Sequence, residues 1–136
     1  MDPTSSHCLN NKDCCNVSSK AHKYCYRHQV ITTSELCAKE LGLNKEQWGV
    51  SFQSRIGPGW LQPFTDKVLE ELPKQGIKKI AVVCPAFIAD NLETLEEVDI
   101  RARETFLECG GEEFTFIPCI NDNDLWIDFL TNFIEE

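Results

Sequence analysis

The sequence has no long apolar run, no glycine-rich phosphate loop and, from residue 114 to the end, no basic side chain. Its longest apolar stretches, such as IAVVCPAFIA at 80–89, reach about half of the roughly 20 residues a bilayer demands. The opening MDPTSSHCLNNKD also lacks the charged-then-apolar order of a secretory signal. Neither a transmembrane segment nor export is expected, and the cytoplasm is the expected compartment. With 22 acids against 13 bases and a formal charge of −9, the chain has no basic excess to condense on nucleic-acid phosphates. A nucleotide-binding reading fails because no glycine-rich turn follows a strand. Internal repeats and low-complexity tracts are absent too.

What is present is one domain's worth of ordinary globular chain, 136 residues with 42% hydrophobic and 26% charged side chains. Its acidity is concentrated: residues 90–113 hold 9 acids and 2 bases, and residues 114–136 hold 5 acids and none. Such a block is either a solvated face or a surface that attracts cations. Eight cysteines is many for the cytoplasm, and five of them lie by position 37, which points to a local device and not to a framework stapling the whole fold.

The residue pattern divides the chain into a cysteine-rich segment with a long helix, 1–47, and an α/β domain, 48–136. Residues 1–17 are polar and turn-rich. Ser18 or Ser19 is a candidate cap for a helix running through AHKYCYRHQVITTSELCAKEL to the stop at Gly42, weakened by the β-branched run Val30 to Thr33. WGVSFQS reads as a short strand before the IGPGW turn, and a helix follows from about Gln62 to Leu72. IKKIAVVCPAF has the near-continuous β-branched character of a parallel strand covered on both faces. Residues 91–109 are helical in period and stopped by Gly110 and Gly111, EFTFIPC is a third strand, and DNDLWIDFLTNFIEE is a last helix. The order βαβαβα predicts a flavodoxin- or Rossmann-like parallel sheet with helical crossovers, preceded by the cysteine-rich segment. Trp48, Trp126, Phe129 and Phe133 are expected in the core, and Cys84, Cys109 and Cys119 as buried small hydrophobes.

On a 100° wheel Asp90, Glu93, Glu97, Arg101, Glu104 and Glu108 share one narrow stripe, while Leu92, Leu95, Val98, Ala102, Phe106 and Cys109 form an apolar arc. Two carboxylates one turn apart, Glu93 and Glu97, cost an isolated helix about 0.2–0.5 kcal/mol unless a cation or proton resides there. The helix starts just past the carboxyl end of the central strand, where open α/β sheets place their ligands. Glu93, in its first turn, is best placed to reach such a crevice. Asp122, Asp124 and Asp128, by contrast, suit the dipole of the last helix and need no metal.

SFQSRIGPGWLQP, CPAFIADNLETLEEVDI and IPCINDNDLWID, taken in this order, resemble ferrochelatase, the enzyme that inserts ferrous iron into a porphyrin to make haem. The resemblance covers roughly residues 48–130 and is to the C-terminal domain of a chelatase-like fold whose members are twice this length or more. It implies that Glu93 is the active-site glutamate and Glu97 the next acid of a π- or α-helical acidic track. It implies porphyrin contacts from Gln53, Arg55 and Trp60, although GPGW is one residue shorter than the form in some relatives. Arg101 departs from the pattern where a third acid is often found. No counterpart of the family's SFHGLP-like histidine motif occurs, and His7, His22 and His28 lie in the cysteine-rich segment. The expectation is therefore the C-terminal part of a lyase of haem biosynthesis. It is inactive alone, works with a missing N-terminal domain, takes porphyrin and ferrous iron as substrates, and is compatible with peripheral membrane association.

Cys8, Cys14, Cys15 and Cys25 have the spacing C-x5-C-C-x9-C. Thiolates suit iron–sulfur clusters and zinc, and either needs four ligands. The segment also resembles the cysteine-bearing insert of bacterial ferrochelatases that hold a two-iron, two-sulfur cluster. Cluster, zinc site drawing on His22 and His28, and free or oxidised thiols all remain open at this level, as does a rival reading of the whole chain: a non-catalytic iron–sulfur or zinc-binding interaction module on an α/β scaffold.

Overall fold

The computed structural model describes residues 14–54, 57 and 59–135. The chain divides into two units, Met1–Phe64 and Thr65–Glu136.

In the first unit Ser19 does cap a helix, its hydroxyl accepting from the Ala21 amide at 3.2 Å, but the element is a short 3-10 turn, Lys20–Tyr24. Cys25 is extended, and helix α1, Tyr26–Glu40, begins after it. The single long helix of the sequence reading is thus broken at Cys25, and the β-branched run, expected to weaken it, lies intact inside α1. The helix stops at Gly42, whose φ of 68° is costly for other residues. WGVSFQS does not form a strand: Phe52 makes one isolated parallel bridge to Phe64, its amide donating to the Pro63 carbonyl at 2.9 Å. Among the described residues it bridges Phe64 alone, so the segment has no ladder to extend.

The second unit holds helix α2, Thr65–Glu71, a 3-10 turn at Pro73–Gln75, strand β1, Lys79–Val83, a π-helix at Glu93–Ala102 that passes directly into helix α3, Arg103–Glu108, strand β2, Glu113–Ile117, and helix α4, Asp124–Glu135. β1 and β2 are parallel, with Ile80 opposite Phe114 and Val82 opposite Phe116. Among the described residues the sheet has two strands, one fewer than the sequence suggested.

The core is one-sided. Leu69, Val98, Ala102, Phe106 and Phe114 are buried together, with Leu72, Ile80, Val82, Cys84 and Phe116 packed around them. The rings of Phe106 and Phe114 lie 6.0 Å apart at 58°, a tilted arrangement their quadrupoles favour. Arg103 ties the helix to β2: it donates to the carbonyl of Phe114, pairs with Asp99, and lies over the Phe114 ring at 5.1 Å. Among the described residues the other sheet face is uncovered, with Val83 and Ile117 exposed, so there β1 is not the doubly covered strand that its composition implied.

Two further expectations change. Phe129 and Phe133 are 57% and 67% exposed, and α4 buries no residue. Their spacing lines them up on one helical face, where they stack on each other and on Trp126 at 6.0 and 5.6 Å, but among the described residues nothing covers that face. Trp48 is half-buried. Leu92 and Leu95 of the supposed apolar arc are exposed as well. The π winding, which bonds residue i to i+5, keeps Val98 and Ala102 of that arc inward and turns Thr94 in with them.

Candidate functional site at the strand ends

Both parallel strands end at the same edge, and the segments that leave them are tied together. Asp90, seven residues beyond β1, accepts from Asn121 Nδ2 at 2.8 Å, from the Thr94 hydroxyl at 3.0 Å and from the Cys119 amide at 3.2 Å. The Asp90 amide donates in return to Asn121 Oδ1 at 2.8 Å. These donors, with Asn121 first, hold the Asp90 carboxyl below its usual range. Asn121 has a φ of 52°, left-handed backbone that asparagine tolerates better than most residues.

The π-helix starts here through a reciprocal cap. Asn91 Oδ1 accepts from the amides of Glu93 at 2.9 Å and Thr94 at 3.3 Å, while the Asn91 amide donates to the Thr94 hydroxyl at 3.0 Å. This is the logic of a capping box, with threonine in place of the usual glutamate. Thr94 is fully buried, so its neighbour Glu93 is held half-buried at the first position of the π-helix.

Glu93 faces the strand end closely enough that its charge, together with that of Asp90, adds to the burial that pushes the Cys84 thiol up. Cys119 is pushed up to about 11, by burial first and then by its contact with Asp90. These two cysteines, with Cys109, are half-buried and not the fully buried small hydrophobes expected: Cys84 packs against the core, and Cys119 is engaged with a carboxylate. Glu97 lies one step further along the helix, also half-buried. Arg101 leaves that line: it pairs with Glu96, five residues earlier, a separation that π winding brings together and α winding does not. The structure thus gathers Glu93, Asp90, Thr94, Asn121, Cys84 and Cys119 at one strand edge. Sequence reasoning found Glu93 and missed Asn121 and Thr94. An asparagine in the turn after a strand, and a threonine three residues past Asn91, were the available signals.

In the first unit Trp60 Nε1 donates to the carbonyl of Gln53 at 2.9 Å, which brings two of the expected porphyrin contacts together, with Trp60 37% exposed. Arg55 lies outside the described residues, as does Cys8.

Three cysteines of the expected ligand set, Cys14, Cys15 and Cys25, are described. Cys14 and Cys25 are buried, but Cys15 accepts from Arg27 Nη1 at 2.8 Å, and burial, opposed by that guanidinium, pushes its thiol up. Among the described residues no group of three or more histidines, cysteines or acids is arranged to hold a metal ion. The His22 and His28 rings stack at 3.7 Å and 12°, and His22 Nε2 bonds the Cys14 carbonyl at 2.7 Å. No helix of the described residues is long and apolar enough to cross a membrane.

The family model for ferrochelatase matches residues 5–136, and the chain belongs to the ferrochelatase family. It is 48% identical to the ferrochelatase of Pseudomonas fluorescens strain Pf0-1 over 137 aligned positions, covering 99% of this chain and 40% of that protein. It is 52% identical to that of Opitutus terrae over 132 positions, 96% of this chain and 38% of the relative. For Ectopseudomonas mendocina the figures are 50% over 129 positions, 93% and 38%. The chain spans about two fifths of the length of the curated relatives it matches.

Proposed function

We propose that this chain supplies the carboxylate side of a porphyrin-metallating site, as the C-terminal part of a ferrochelatase. The observation that carries the reading is Glu93, half-buried at the start of a π-helix on the carboxyl edge of the sheet, with Glu97 one step further along.

Metallation replaces two pyrrole N–H protons by one divalent cation, so the enzyme must accept two protons, desolvate the metal and hold the macrocycle. Glu93 is the acceptor on this side. A carboxylate there takes a pyrrole proton directly, and Glu97 offers the next position on its way to water. Asp90 and Glu97 keep the local field negative, which favours the approach of ferrous iron as the substrate cation. Phe87 and Ile88, in the segment between β1 and Asp90, add apolar surface for the macrocycle. The complementary base on the opposite face belongs to the histidine motif that the resemblance places upstream.

The test is a fusion in which this chain replaces the matching two fifths of the Pseudomonas fluorescens relative, assayed by zinc insertion into protoporphyrin IX. The fusion is expected to metallate the porphyrin. Glu93→Gln should lower kcat by about 100-fold or more with porphyrin binding retained, since a positioned proton acceptor contributes about 10²–10⁴-fold. Equal rates for the two would remove the proposal. Metal binding confined to the cysteines, with no quenching of Trp60 by porphyrin, would favour the non-catalytic module instead.

A further inference from the structure

We infer that Asp90 and Asn121 form a clasp between the two strand-end segments that sets the start of the π-helix and so positions Glu93, Asp90 being a positioning residue and not a member of the proton path. The inference rests on the reading of Glu93 as the proton acceptor.

Asp90 belongs to the same acidic stripe as Glu93 and Glu97, and sequence alone gives it the same role. Its bonding separates it. The carboxylate accepts from Asn121 Nδ2, the Thr94 hydroxyl and the Cys119 amide, three donors that come from residues 94, 119 and 121. An ionised carboxylate has about four acceptor sites, so little capacity is left for a travelling proton. A relay group must also take up and release protons near the working pH, and a carboxyl held below its usual range by these donors stays ionised there.

The same bonds account for placement. Four hydrogen bonds join the segment after β1 to the segment after β2: Asn121 Nδ2 to Asp90 Oδ2, the Asp90 amide to Asn121 Oδ1, the Cys119 amide to Asp90 Oδ1, and the Asn121 amide to the Ile88 carbonyl. The left-handed backbone of Asn121 lets its main chain and its side chain both take part. From Asp90 the connection reaches the helix through the buried Thr94 hydroxyl, adjacent to Glu93. Loss of either clasp partner therefore frees the first turn of the π-helix, while the helix body stays anchored by Val98, Ala102 and Phe106.

The test is backbone amide exchange on the 136-residue chain, with the Glu93 carboxyl carbon observed by NMR. Asp90→Asn and Asn121→Ala should each raise exchange at residues 93–98 by about tenfold and shift the Glu93 signal, while residues 79–83 and 103–108 stay within about twofold of the wild type. The exchanged pair Asp90→Asn with Asn121→Asp restores a donor facing an acceptor, and should recover most of the protection. A lesion of general stability would accelerate all protected amides alike. That result, an unchanged 93–98 segment, or an exchanged pair no better than the single variants, overturns the clasp. The reading of Glu93 stands or falls separately, on the Glu93→Gln fusion.

Discussion

Asp90 and Cys119 touch each other and give stability opposite dependences on pH. The carboxyl of Asp90 is held below its ordinary 3.8, so its contribution is complete above that value and is lost as the pH falls through the lowered one. The Cys119 thiol is held neutral up to about 11 against an ordinary 9.0, so its contribution is complete below 9.0 and is lost as the pH rises from there. Chemical denaturation across pH should accordingly show an acid limb removed by Asp90→Asn and an alkaline limb flattened by Cys119→Ala. If the alkaline limb survives the loss of the thiol, its cause lies elsewhere. These two residues also show how far a sequence can be read at this scale. Glu93 and Glu97 are legible because like charges at helical spacing are locally unfavourable and call for a reason. Asn121 is not, because its partner is 31 residues away and only the pairing of two strands brings them together.

At the scale of elements, the acidic helix lies where its period places it, within 91–109, and it takes the π winding that the family resemblance allows and a 3.6-residue wheel does not show. Polarity repeats over ten residues do not distinguish a 3.6-residue turn from a wider one, and the difference emerges only in which residues meet: Glu96 with Arg101, and Val98 with Ala102 in the core. The Glu96–Arg101 pair is exposed, so Arg101→Ala should change stability by less than about 1 kcal/mol. The turn after α3 is far less tolerant. A Cβ on Gly111 would sit 2.2 Å from the Phe106 ring, which is itself fully buried. Gly111→Ala should cost about 1–3 kcal/mol through overpacking, and Phe106→Ala about 3–5 kcal/mol through the cavity it leaves. Thermal unfolding of both measures the ranking, and a neutral Gly111→Ala would show that the ring can move aside. WGVSFQS has the alternation of a strand, with Trp48, Val50 and Phe52 at every second position, yet a strand also needs a neighbour, and among the described residues Phe52 finds one only at Phe64.

For the molecule as a whole, the alternation of strand and helix was legible and the extent of burial was not. Burial belongs to the partner surface as much as to the residue, and α4 carries a stacked aromatic face with no partner among the described residues. Exposed apolar patches of this kind promote association. The 136-residue chain should bind the dye ANS and sediment with a concentration-dependent mass, and Phe129→Glu with Phe133→Glu should reduce both. Unchanged dye binding in that double variant would place the sticky surface elsewhere. The sheet has its own version of the same exposure. With two strands described, each has one flank bonded to the other and, among the described residues, no further strand on its outer flank. Backbone groups, unlike side chains, offer the same invitation to any extended peptide, whatever its composition. A laboratory study of this chain by itself should therefore treat β-rich aggregation as a hazard of its architecture, one that no exchange of surface side chains would wholly abolish.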